Sequence, residues 1–186
     1  MSWLRRFSNA HSQPLPDLDF DGTEVAVPWR LLTDAGHDVS FATERGGFAA
    51  QADQRLLDGV LFGQLGAEQE PKQFYRELTL APAFQYPVSW AGLAPSDLDG
   101  LILAGGHAPG MRQFLGSAVL QAKVGEFWTL ERPIGAICHG VLVLARTRDP
   151  RSGRPVIAQR LPVRTAVRGA TRTAGARCVT ACPVRR

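Results

Sequence analysis

The chain has 186 residues, enough for one domain with a sizeable core. Its apolar fraction of 45% suits a globular protein, and no apolar run approaches the roughly 20 residues that a membrane helix needs. The net charge of +4 divides unevenly: residues 1–150 carry 12 Lys+Arg and all 17 Asp+Glu, whereas residues 151–186 carry nine arginines and no acid. The basicity therefore belongs to the tail. The body is not expected to bind nucleic acid specifically, and the tail would hold phosphate or RNA only through unspecific charge.

In chain order, the first twenty residues offer no convincing strand, since "HSQPLPDLDF" mixes prolines with polar residues. "DGTEVAVPWRLLTDAG" predicts a helix over 21–36, capped by Asp21 or Thr23 and ended by Gly36. Val25, Pro28, Trp29 and Leu32 share one face at helical spacing, and Pro28 predicts a bend. "HDVSFAT" predicts a strand. Residues 51–67 read as loop with short helical pieces, "EPKQFYRELTLA" as a helix, and residues 82–99 as loop. "GLILA" (100–104) is the clearest strand, and the glycine-rich turn "GGHAPG" follows it at once. Ser117 then caps a helix that gathers Leu120, Val124, Phe127 and Trp128 on one face. "RPIGAI" predicts a second short strand. "CHGVLVLART" predicts a helix apolar nearly all round, and so buried. Strand, turn and helix repeated in this way predict a parallel sheet covered by helices.

Of the three cysteines, Cys138 stands in "IGAICHG", where a strand gives way to a helix. In an open parallel sheet, sites form at the carboxyl ends of the strands. Cys138 and the "GGH" turn of Gly105, Gly106 and His107 both lie at such ends, one strand–helix unit apart. A nucleophile on a tight strand-to-helix turn is held in a strained, projecting conformation. The N–H groups of the following helix would favour thiolate, so a thiol pKa below the ordinary value is expected. The glycine pair would offer donors to a developing oxyanion. Glu24 has two readings, as a site carboxylate or as the capping-box partner of Asp21 in "DGTE". Cys178 and Cys182 form a CxxxC pair without two further ligands, so no metal site is expected. The few cysteines, and the lack of a signal-like apolar stretch in "MSWLRRFSNAHSQ", lead to the expectation of a reducing, cytoplasmic setting.

Three stretches, "FDGTEVAVPWRLLTDAGHDVSFAT", "DLDGLILAGGHAPGMRQFL" and "RPIGAICHGVLVLAR", resemble the ThiJ/PfpI family (the DJ-one superfamily), which is related to class I glutamine amidotransferases. The adjacent Cys–His pair and the "GGH" turn are nearest to its heat-shock glyoxalase branch or to uncharacterised bacterial neighbours. The resemblance implies an α/β fold, a flavodoxin-like three-layer sandwich with a mostly parallel sheet, incomplete here at both ends. It implies that Cys138 is the nucleophile, His139 the adjacent acid/base and Glu24 the helix-borne glutamate beside the sulfur. Gly105 and Gly106 match the oxyanion turn, and His107 would line the pocket. Ala104 stands where many relatives have proline.

The implied chemistry needs no cofactor. Cys138 adds to the aldehyde of methylglyoxal, Glu24 or His139 moves a proton through an enediolate, and lactate leaves. Deglycase or amidohydrolase action is the related option, so the substrate is a small reactive aldehyde or a glycated or amide group. A homodimer is the implied assembly, with no nucleic-acid or membrane partner. A non-enzymatic stress protein (a holdase or cysteine redox sensor) and an inactive family member stay open as alternatives.

Two departures from the family pattern stand out. The family's first strand normally lies near the middle of the sheet, but residues 1–16 form an atypical segment and "SNAHSQPLPDLDF" supplies no apolar strand, so its loss would open the core. The family-like domain spans 17–158, and residues 159–186 form an Arg-rich irregular tail. That composition fits either a shifted reading frame of a GC-rich gene or a natural basic tail. The tail supplies no acid to orient His139, because Asp149 is the last acid in the chain.

Overall fold

The computed structural model describes residues 18–57, 69–159 and 177–181. The expectations for residues 1–17, for 58–68, for the rest of the tail and for Cys182 lie outside the described residues. Five parallel strands form the main sheet, in the order β4 (Val88–Ser89), β2 (Asp38–Thr43), β7 (Arg177–Ala181), β5 (Gly100–Leu103) and β6 (Ile134–Ala136). Parallel neighbours require crossovers, and helices supply them. These are α1 (Gly22–Asp34), α2 (Gln54–Leu57), α3 (Gln69–Leu80), α4 (Pro82–Gln85), α5 (Met111–Gly116), α6 (Ala118–Thr129) and α7 (Val141–Arg146). The result is the helix-covered parallel sheet that the repeated strand–turn–helix pattern predicts, in the flavodoxin-like α/β arrangement that the resemblance implies.

The two faces of the sheet carry separate apolar clusters. Side chains alternate along a strand, so Phe41 and its neighbour Ala42 fall into different clusters, as do Leu103 and Ala104. One cluster gathers Trp90, Leu103, Phe114, Leu120, Phe127 and Val143 beneath α5, α6 and α7. The other gathers Phe20, Val25, Phe41, Leu78 and Phe84 beneath α1, α3 and α4. Edge-to-face contacts at 5.1 Å (Phe41–Phe84) and 5.8 Å (Trp90–Phe114) tighten both clusters.

Several expectations change. A three-residue strand, β1 (Leu18–Phe20), does form within the first twenty residues. It pairs with β3 (Gln51–Ala52) in a separate two-stranded ribbon, and Phe20 is fully buried. The middle of the main sheet is filled from the other end of the chain. β7 lies between β2 and β5, with Arg177 paired to Asp38 and Cys178 to Gly100. Its "RCVTA" contains the β-branched pair Val179–Thr180, which suits a strand even within Arg-rich surroundings. Short elements α4 and β4 interrupt the segment read as loop, and α5 precedes the helix capped by Ser117. Trp90, within that segment, is fully buried, and its indole N–H donates to the Ala42 carbonyl at 3.2 Å.

The last predicted helix also differs. A single 3₁₀ turn, Cys138–Gly140, leads into a six-residue α7. Only Val143 of α7 is buried, and Leu142 keeps 42% of its surface exposed. β6 is the outer strand of the sheet, so few described residues are placed to cover that face.

Candidate active site

The site forms where the carboxyl ends of β5 and β6 meet the start of α1. Cys138 follows β6 by two residues and has φ +49°. A non-glycine residue in this left-handed region carries strain of order 1–3 kcal/mol and persists only where its surroundings enforce it. Gly140 is part of that enforcement. A β-carbon there would lie 2.2 Å from the Leu103 carbonyl oxygen, so the turn can press its backbone onto β5 only with glycine. The thiol thus projects from a strand-to-helix elbow, as the spacing of "IGAICHG" implies.

Glu24 reaches the same place from the first turn of α1. The structure decides between its two readings. The Asp21 carboxylate caps the helix by accepting from the Thr23 N–H at 2.9 Å. The Asp21 N–H, which a capping box would direct at Glu24, donates instead to the Gly105 carbonyl at 3.2 Å. Glu24 Oε2 accepts from the Gly105 N–H at 2.9 Å. The "GG" turn is therefore clipped to the start of α1 from both sides of one residue. A β-carbon on Gly105 would lie 2.6 Å from Glu24 Oε2, 2.7 Å from Cys138 Cβ and 2.8 Å from the Ile137 carbonyl oxygen. Only glycine lets carboxylate and thiol approach this closely. Pro28 removes the N–H that an unbroken helix would direct at the Glu24 carbonyl.

The electrostatics depart from expectation. The Cys138 pKa is raised, first by partial desolvation of a thiol whose residue is otherwise exposed, and then by the charge and hydrogen bonding of Glu24. The backbone N–H groups of His139 and Gly106 act in the opposite direction, toward thiolate, but do not prevail. Elbow and donors are present, whereas the following helix has too few aligned peptides for a full macrodipole. The Glu24 pKa is also raised, by burial and by Asp21. Thiol and carboxyl form a coupled pair in which the charge and hydrogen bonding of Glu24 hold Cys138 protonated, while the same hydrogen bond favours the carboxylate form of Glu24.

His139 is half-buried beside the sulfur. Its Nδ1 is 3.4 Å from Cys138 Sγ, and its ring meets that of His107 edge-to-face at 4.9 Å. His107 and Cys138 are exposed. Nitrogens of both histidines and the sulfur lie within 4.8 Å of one another. Among the described residues no carboxylate is hydrogen-bonded to His139. Asp149 accepts from the Arg151 N–H and the Ser152 hydroxyl in its own turn.

All six residues singled out in the sequence, Glu24, Gly105, Gly106, His107, Cys138 and His139, thus converge. The Gly105 N–H is already held by Glu24, so the backbone donors facing the sulfur are those of Gly106 and His139. The His139 amide is one of the N–H groups that the sequence placed after the nucleophile, without singling it out by residue. Its signal was the elbow itself, which aims the N–H after the nucleophile at the reacting centre.

Residues 15–172 match the family described as ThiJ/PfpI family-like. The chain belongs to the ThiJ/PfpI family. This ThiJ/PfpI chain is 32% identical over 133 residues to an uncharacterised protein of Schizosaccharomyces pombe, covering 70% of the chain and 48% of that protein. It is 25% identical over 140 residues to a glutathione-independent glyoxalase of the same yeast, covering 73% and 55%. Its fold resembles the crystal structure of glyoxalase III from Candida albicans with a TM-score of 0.59 at 21% identity, covering 75% of this chain and 56% of that one. The ThiJ/PfpI chain spans about half the length of the curated relatives it matches. Among the described residues, no helix is long and apolar enough to cross a membrane.

Proposed function

We propose that the chain is a cofactor-independent glyoxalase of the ThiJ/PfpI type, acting on methylglyoxal or a related small reactive aldehyde, with Cys138 as nucleophile. The observation that carries this reading is the sulfur itself, held at φ +49° on the elbow with Glu24 on one side and His139 on the other. The likeness to a glutathione-independent glyoxalase supports the same reading.

The residues can supply each step. Glu24 takes the thiol proton, the thiolate adds to the aldehyde carbon, and Glu24 returns that proton to the new alkoxide, which gives a neutral hemithioacetal and frees the carboxylate. The Gly106 and His139 N–H groups, which face the sulfur, are the donors available to the oxygen that gains charge. A base then removes the proton from that carbon, and the enediolate accepts a proton on the neighbouring carbon. This leaves a lactoyl thioester on Cys138. Water hydrolyses the thioester, releases lactate and restores the thiol. Glu24 is the better-placed base. Its carboxyl is hydrogen-bonded to the sulfur, and its raised pKa brings it nearer to working pH than an ordinary carboxylate. Deglycase or amide hydrolysis would use the same addition and thioester steps.

The test is lactate formation from methylglyoxal without glutathione. Wild type should form lactate and Cys138→Ser should form none. Lactate at the wild-type rate from Cys138→Ser would overturn the mechanism, and its absence from a folded wild type would overturn the substrate.

A further inference from the structure

Beside the sulfur that the glyoxalase reading uses as nucleophile stand two imidazoles that its steps do not use. His107, Cys138 and His139 each offer one ligand atom, all within 4.8 Å of one another. One thiolate and two imidazoles make an N₂S set, which suits a borderline-soft d¹⁰ cation better than a hard one such as magnesium. From these residues we infer a reversible Zn²⁺-binding site, with a fourth position open to water or a small anion.

The geometry needs little adjustment. In a tetrahedral zinc site, sulfur and nitrogen ligands lie about 3.6 Å apart. Cys138 Sγ and His139 Nδ1 are already 3.4 Å apart. The ligand atoms of the set lie within 4.8 Å of one another, so the two imidazoles need only draw together to reach the ~3.4 Å of a nitrogen pair. His107 is exposed on the turn after β5, and its ring already abuts that of His139. Glu24 stays outside the set, since its Oε2 is held by the Gly105 N–H behind the sulfur. Exposure of Cys138 and His107 gives the ion an open path from solvent. When zinc binds, the thiol proton leaves to solvent and the sulfur lone pair goes to the metal. This departs from the sequence expectation of no metal site, which weighed only the CxxxC pair of the tail.

A consequence rests on the proposed glyoxalase reading: a zinc-bound sulfur cannot attack an aldehyde, so the same ion would be a reversible inhibitor. The binding itself can be tested with no substrate present. The full chain is treated with iodoacetamide, with and without Zn²⁺, and each cysteine is followed by peptide mass spectrometry. One equivalent of Zn²⁺ should slow alkylation of Cys138 at least tenfold, and EDTA should restore the rate. Cys178 and Cys182 serve as internal references. His107→Ala should require at least tenfold more Zn²⁺ for the same protection, with an unchanged circular dichroism spectrum. Should that variant misfold, Co²⁺ added to the wild-type chain gives the answer, through tetrahedral d–d bands and a thiolate charge-transfer band. An unchanged Cys138 rate, equal protection in folded His107→Ala, or no tetrahedral thiolate spectrum would each overturn the proposal. Because lactate is not measured, failure here leaves the glyoxalase reading standing, and failure of the lactate assay leaves this site standing.

Discussion

Glu24 and His139 flank the same sulfur but are held in different ways. Glu24 comes from α1, whose buried face packs into the Phe20–Phe84 cluster, and its carboxylate accepts a 2.9 Å hydrogen bond from Gly105. Asp21 fixes the same glycine from its other side. His139 comes from a single 3₁₀ turn ahead of a six-residue helix with exposed leucine and valine. The ring contacts described for it are to Cys138 and His107, with no carboxylate among the described residues to set its tautomer. Preorganised groups contribute most to a transition state, because they need not reorganise during reaction. The carboxylate end should therefore dominate proton transfer, and the imidazole end should tolerate change.

Substitutions at the site can break or sharpen that contrast. Cys138→Ser removes the group that both ends serve, so lactate formation should fall on the order of 10⁴-fold or more, measured as kcat/KM. Glu24→Gln keeps an oxygen for the Gly105 N–H but removes the base, and turnover should fall about 10²–10⁴-fold. Gly105→Ala drives a β-carbon into Glu24 Oε2, Cys138 Cβ and the Ile137 carbonyl together. It should destabilise the fold by about 1–3 kcal/mol, read as a lower Tm, and reduce turnover as well. His139→Ala should have the smallest effect, below the ~10²-fold loss typical of an essential acid or base. If His139→Ala costs more than Glu24→Gln, the roles assigned to the two ends are reversed.

Much of this arrangement was legible because it is local. "GLILAGGH" and "IGAICHG" place glycines, thiol and imidazoles at the ends of two neighbouring strands, and the structure pairs Leu103 with Ala136 as that requires. "DGTE" narrowed the cap to Asp21 or Thr23, of which the structure uses Asp21, yet the same four residues could not reveal which role Glu24 takes. That choice depends on Gly105, 81 residues away, which claims both the Asp21 N–H and the Glu24 carboxylate. The direction of the Cys138 pKa was misjudged for a similar reason. The sequence displayed the helix that favours thiolate, while burial and the Glu24 charge enter only with the tertiary fold. The position of β7 was not legible either. Its five residues sit among arginines, and a central strand is recognisable as such only once its partners on both sides are known.

The central claim is that Glu24 and Cys138 act as one coupled acidic pair, and thiol reactivity against pH tests it most directly. Iodoacetamide reacts with thiolate, so the rate rises as pH passes through the Cys138 pKa. Burial and Glu24 both raise that pKa, so the wild-type midpoint should lie above that of an ordinary thiol. Glu24→Gln removes the nearby negative charge and the carboxylate acceptor. The midpoint should move down, and Cys138 should alkylate faster at neutral pH even as lactate formation falls. A midpoint unchanged in Glu24→Gln, or one that moves up, would contradict the pairing.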